Sequence, residues 1–380
     1  MKRHLFIVSI LALLLPLSGC AGFYANVREV EQLLVIQTMG LDSEGSGVRL
    51  SLASGTGIRA AGSPVRLFAQ APTVTAAVEA IRSRANEEDL FCAHIRHVLV
   101  GEETAQSGLA SSLAYLCRAP ELRLSVPLYL VLGSSAEEAV LGVGDDSYGI
   151  CDALDAVDGE LRVRGDGRLT SAGDVVSALE QYGSALVCAV EVRPSAEATE
   201  SEEPLLTVAA AGYGVLKGDR LCAAVSREQA VAVGLLVNDS GPCELLVRDR
   251  EGRPVTLELD RGGSELRPIW SDSGALEGLE LSVHAEASVA EADRVGDGAW
   301  EDDLTARLEA ALSERVAAVL RLSRSLEADF LGLGGRVERA DPRRFAALDR
   351  PFAELLPGLT IRLSVSGRLT HTNDLRGAAA

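Results

Sequence analysis

Residues 95–132, IRHVLVGEETAQSGLASSLAYLCRAPELRLSVPLYLVL, change periodicity twice. Ile95–Val100 reads as a short strand, Ala105–Cys117 as a helix, and Leu122–Leu132 as a second strand rich in Leu and Val. This alternation of elements implies a mixed α and β domain. Upstream, Leu33–Leu41 is an apolar run and Gly47–Ala53 alternates Val48, Leu50 and Leu52 to one side, which together predict a hairpin. Between them and the central stretch, Thr73–Ala85 places Val74, Ala77, Val78 and Ile81 at helical spacing just after Pro72, predicting an amphipathic helix.

Downstream, Arg193–Pro204 reads RPSAEATESEEP, with four Glu, two Pro and no large apolar residue. That composition is expected of an exposed linker, and it divides the body into residues 20–192 and 205–380. After it come two β-rich runs, Leu205–Leu216 and Arg220–Val225, around a Lys217-Gly218-Asp219 turn. Further strands are expected at Glu244–Val247, Val255–Leu259 and Leu279–Ala290. From Glu301 the period becomes helical: Leu304, Leu308, Ala311, Leu312, Val316, Val319 and Leu326 share one face, so this is the longest helix expected. A shorter helix near Arg343–Leu356 and a last strand, Leu359–Thr370, close the chain.

The 380 residues, 47% apolar and 24% charged, suffice for two or three domains with buried cores. With 36 Lys+Arg against 55 Asp+Glu the formal charge is −19, which argues against binding nucleic acid through its phosphates. No apolar run reaches the ~18 residues of a membrane-spanning helix.

The start of the chain is a targeting segment. Lys2 and Arg3 precede the apolar stretch Leu5–Leu17, and Leu17-Ser18-Gly19-Cys20 resembles a lipobox, where a lipoprotein signal peptidase cuts before an acylated cysteine. Residues 1–19 are therefore expected to be a lipoprotein signal peptide and Cys20 the lipidation site, with its acyl chains holding the protein on a bilayer. Removing Lys2 and Arg3 leaves 34 bases against 55 acids, a charge of −21. Anionic headgroups repel such a body, so attachment should rest on the lipid and on protein partners.

Cys92, Cys117, Cys151, Cys188, Cys222 and Cys243 are scattered, with no C-x-x-C pair, and are expected to be free thiols, one disulfide being the alternative. Catalytic and metal signals are weak. His94 and His97 stand three apart in a strand-like segment, so they point to opposite faces and read as structural histidines. Asp145, Asp146, Asp152, Asp155 and Asp158 read as a solvated face, and Gly332–Gly335 as a cap of the long helix. No catalytic motif, metal site or cofactor is indicated.

The order of segments resembles the Ger(x)C family, the lipoprotein C subunits of spore germinant receptors. Arg28-Glu29-Val30, Leu33–Ile36 and Gly40-Leu41-Asp42 are similar to its opening. Thr75–Arg84 resembles its first helix, and Leu90–His94 with Val98–Glu103 its histidine, strand and Gly-Glu-Glu. Pro120–Leu124, Gly212, Lys217–Leu221, Ser226–Ala230, Asp329–Gly334, Phe345 and Phe352–Pro357 continue the likeness. The family's tryptophan and aspartate after the lipid-bearing cysteine are replaced here by Ala21-Gly22-Phe23-Tyr24, and its lysine-rich surface by Ala, Arg and acidic residues.

The resemblance implies an α+β fold, with mixed sheets flanked by helices in two to three subdomains and the long helix near the C-terminus. It also implies a non-enzymatic subunit, lipid-anchored on the outer face of the spore inner membrane beside integral membrane A and B subunits. The nutrient germinant is then met directly or through those partners. No ligand-binding residue carries over. The alternative is a substrate-binding lipoprotein of an importer, which expects paired lobes, a ligand cleft and at least two hinge crossings.

Overall fold

A computed structural model of the chain describes residues 33–55, 64–84, 89–145, 147–165, 167–196, 204–293 and 298–370. Residues 1–19, Cys20, Arg28-Glu29-Val30 and Asp146 lie outside them. β1 (Leu33–Glu44) and β2 (Gly47–Ser54) form the expected antiparallel hairpin, turning at Gly45 with φ 59°. β3 (Arg66–Ala71) extends it, and Thr73 caps α1 (Val74–Arg82) by accepting from the Ala76 N–H. β4 (Asp89–Phe91) and β5 (His97–Gly101) both run parallel to β1. Next come α2 (Glu102–Ser107), α3 (Ala110–Arg118), β6 (Leu128–Leu132), α4 (Ala136–Gly142), α5 (Ile150–Val163) and α6 (Ala172–Tyr182). β7 (Ser184–Pro194), β8 (Leu206–Lys217) and β9 (Arg220–Val225) complete a nine-stranded sheet of order β3-β2-β1-β5-β6-β7-β8-β9, with β4 beside β1.

Helices cover both faces of this sheet, which is why its inner parallel strands β5 and β6 read as unbroken apolar runs. Val98, Val100, Leu128 and Leu130 face α1, α3 and α6, while Leu99, Tyr129 and Val131 face α4 and α5. The second sheet, β10 (Cys243–Arg248), β11 (Pro254–Trp270), β12 (Leu276–Ala292) and β13 (Thr360–Leu369), has the order β10-β11-β12-β13. α8 (Gly298–Leu326) lays Leu304, Leu308, Leu312, Val316 and Val319 across it. α7 (Arg227–Val237) is buried on every side from Ala230 to Leu236, because it is wedged between β8 and the second sheet. α9 (Leu333–Ala340), α10 (Pro342–Phe345) and α11 (Phe352–Leu355) lie between α8 and β13.

The α+β expectation holds, with mixed sheets and the long helix near the C-terminus. The sheet, however, does not stop at residue 192. β7 and β8, on either side of the expected linker, pair antiparallel from Ser184↔Lys217 to Pro194↔Leu206. Tyr213, Val215 and Val225 of the first sheet also share one apolar core with Leu257, Leu281 and Leu304. Residues 193–204 therefore connect neighbouring strands of one sheet, since a polar composition marks exposure and not separation of cores.

Other expectations shift locally. Gly108, at φ 129°, splits the helix expected at 105–117 into α2 and α3. Turns at Leu122 and Val126 shorten the strand expected at 122–132 to Leu128–Leu132. Two short helices stand where one was expected: α10 ends at Phe345, and α11 starts after Pro351 at its N-cap. The long helix ends at Leu326, so Gly332 does not cap it. With φ 65°, Gly332 instead stands at the N-terminus of α9.

Candidate functional site

The carboxyl ends of β1, β5 and β6 open a cleft of about 470 Å³. The chain leaves β5 toward α2 and α3 on one face and leaves β6 toward α4 on the other, so the two loops part there. This is the position at which open α/β sheets hold ligands. Asp42 spans the gap, its carboxylate oxygens accepting from the N–H groups of Ala136 at 2.9 Å and Glu137 at 2.7 Å. Burial raises its pKa, opposed in part by those two N–H bonds. Glu102 accepts from the Gly133 N–H at 2.6 Å, and the Thr104 hydroxyl accepts from the Ser43 N–H at 2.7 Å. Half-buried Glu102 and exposed Glu103 and Glu138 give the cleft an acidic rim.

A second cleft, of about 710 Å³, lies at the seam between the first sheet and the α8–α9 corner. Lys217, at the end of β8, donates its Nζ–H to the Leu326 carbonyl at 2.7 Å and so closes the C-terminus of α8. Asp329 accepts from the N–H groups of Leu333 and Gly334 at 2.7 and 2.8 Å, capping α9. It is 2% exposed, and burial pushes its pKa up to about 7 against those two bonds. The Tyr182 ring lies on Gly332 and Gly335, where a Cβ on Gly335 would come within 2.8 Å of the Tyr182 hydroxyl.

The histidines separate as expected: His94 is exposed in a turn and His97 is 1% exposed at the start of β5. The acidic set does not form one solvated face. Asp145 closes its own turn by accepting from the N–H groups of Ser147 and Tyr148, and Asp152 accepts from the Gly149 N–H at the start of α5. Asp158 is buried, accepting from the Tyr129 hydroxyl and standing 3.5 Å from His97 Nε2, which is also 3.4 Å from Asp155. The i, i+3 spacing of Asp155 and Asp158 puts both on the inward flank of α5, a placement decided by where Leu154 and Val157 anchor the helix.

Residues 26–140 match the family model described as the spore germination protein N-terminal domain. Across nearly the whole chain the fold is similar to a solved structure, the crystal structure of the GerBC protein. The TM-score is 0.58 at 15% identity, covering 88% of this chain and 97% of that one. Residues 26–140 belong to the spore germination protein N-terminal domain family. No curated protein matches this chain in sequence.

The segments that carried the resemblance act as stitches between elements. Asp42 and Gly101–Glu103 join the loops after β1, β5 and β6. Asp219 ties the β8–β9 turn to α3, its backbone carbonyl accepting from the Leu109 N–H at 2.7 Å and its side chain from the Ala110 N–H at 3.2 Å. Ser226 and Gln229 form a reciprocal cap at the start of α7. Asp329–Gly334 builds the corner described above. Sequence reasoning missed Tyr129, Tyr182 and Cys151 as parts of polar clusters. Tyr129 lies within an apolar run, and no spacing rule joins partners 29 residues apart.

Proposed function

We propose that this protein is the lipid-anchored, non-enzymatic C subunit of a spore germinant receptor. Diacylglycerol on Cys20 holds it on the outer face of the spore inner membrane beside integral membrane A and B subunits, as part of nutrient-triggered germination. The observation that carries this reading is the spore germination domain at residues 26–140, directly after the lipobox at Leu17–Cys20. No helix among the described residues is long and apolar enough to cross a membrane, which fits attachment through a lipid. The acidic body fits a role directed at protein partners more than at anionic headgroups. An importer's binding protein expects two lobes around a hinge. Here β7 and β8 pair across the would-be crossing, and the two sheets share a core, which disfavours that reading.

The test is fractionation of spores carrying Cys20→Ala, with the A and B subunits probed in the same membranes. The variant is expected to leave the membrane fraction, and the wild-type protein to co-purify with the two membrane subunits. A Cys20→Ala protein that stays fully membrane-bound ends the anchor, and a wild-type protein that purifies without either subunit ends the receptor assignment.

A further inference from the structure

We propose that His97, Cys151 and Asp155 form a binding site for a borderline-soft divalent cation of the zinc class. One donor atom from each lies within 4.8 Å of the others. α5 sets Cys151 and Asp155 one turn apart on the same flank, and β5 delivers His97 against them from the sheet. Cys151 Sγ is 3.8 Å from His97 Nδ1. Donors bonded at ~2.0–2.3 Å around a tetrahedral zinc ion stand at about this separation from one another. Imidazole nitrogen, thiolate sulfur and carboxylate oxygen are all zinc ligands, whereas calcium and magnesium select oxygen alone.

The surroundings support a ligand more than a filled core. His97 Nε2 faces Asp158, which the Tyr129 hydroxyl holds in place. With Asp158 accepting from Nε2–H, Nδ1 presents its lone pair toward Cys151, and Asp155, which stands 3.4 Å from Nε2, must rotate to reach an ion there. Thr38, paired with His97 across β1 and β5, is fully buried with its hydroxyl toward Cys151, whose thiol donates to Gln37 Oε1 at 3.0 Å. Arg96 bonds Asp155 at 2.5 Å and approaches Cys151 Sγ at 3.8 Å. Metal binding releases the Cys151 thiol proton to solvent as the S–metal bond forms, and Asp155, at the partly exposed rim, turns from Arg96 to the ion.

The full chain, freed of any affinity tag, is titrated with cobalt(II) and then with zinc(II). One equivalent of cobalt is expected to bind with a sulfur-to-metal charge-transfer band in the near ultraviolet, and zinc to displace it. Cys151→Ser should lose the band while Cys92→Ser keeps it, and Asp158→Asn should weaken binding about 10–100-fold through His97. Circular dichroism establishes that each variant is folded. Should Cys151→Ser fail to fold, Asp155→Asn at the rim serves instead and is expected to weaken binding at least about tenfold. Absence of stoichiometric cobalt binding by the wild-type chain overturns the proposal. So does a charge-transfer band that survives Cys151→Ser, or cobalt affinity unchanged in Asp155→Asn.

Discussion

Gly101 and Asp42 meet at the carboxyl ends of adjacent parallel strands so closely that a Cβ on Gly101 would stand 2.2 Å from Asp42 Oδ1. The same Cβ would lie 3.0 Å from the Ala136 backbone nitrogen, so the glycine is what lets β1, β5 and α4 converge. Gly101→Ala is expected to destabilise the protein by about 1–3 kcal/mol through overpacking. Urea unfolding reads this as a lower midpoint with the slope kept, and an unchanged midpoint would remove the argument for close approach.

Asp329 makes stability depend on pH. Its folded pKa, about 7, lies above its ordinary value of 3.8, so the unfolded chain gives up this proton first. The stability it contributes is full below about pH 4 and is lost as pH rises through about 7. Tyr182, Glu338 and Arg339 lie close by and share the corner. The stability difference between wild type and Asp329→Asn should therefore shrink from pH 4 to pH 7 and stay level above it. A difference that grows over that range contradicts the assignment.

Lys217 joins the first sheet to the end of α8 through one bond to the Leu326 carbonyl. Because the ammonium is exposed, Lys217→Met should cost only about 0.5–1 kcal/mol. Lys217→Arg, which can donate to the same carbonyl, should recover part of the lost melting temperature. Equal loss in both variants would assign the effect to packing instead.

Cysteine reactivity should follow burial. Among the six thiols from Cys92 to Cys243, only Cys117 and Cys222 are exposed. Burial pushes the thiols of Cys92 and Cys151 up to about 11, which keeps them protonated near neutrality. A thiol reagent should therefore modify two of these six quickly in the native protein and the other four only on unfolding. Fast labelling of Cys151 would show that α5 opens readily from the sheet.

Legibility from sequence followed the range of each interaction. The β1–β2 hairpin, α1, the Lys217-Gly218-Asp219 turn and the apolar face of α8 were all readable, because alternation, helical spacing and turn residues act between near neighbours. α4, α5, α6 and α7 were not recognised; the heptapeptide α4 is too short for a clear period, and α7 is apolar all round. At the clefts, Asp42, Glu102 and Asp329 could be noticed as parts of a resemblance, but their roles as hydrogen-bond acceptors could not. Asp42 bonds residues 94 and 95 positions away, and Lys217 one 109 positions away.

By itself, the sequence determined that this is an acidic chain of mixed α and β elements with a long amphipathic helix near its C-terminus. Those properties rest on composition and on periodicities within one element. Only the tertiary structure decided that the polar segment 193–204 joins two paired strands, that the two sheets share one core, and that His97 faces Cys151, Asp155 and Asp158. The physical reason is that strand pairing and side-chain contact depend on which apolar faces bury each other. That choice is made by the whole chain at once and leaves no periodic trace along it.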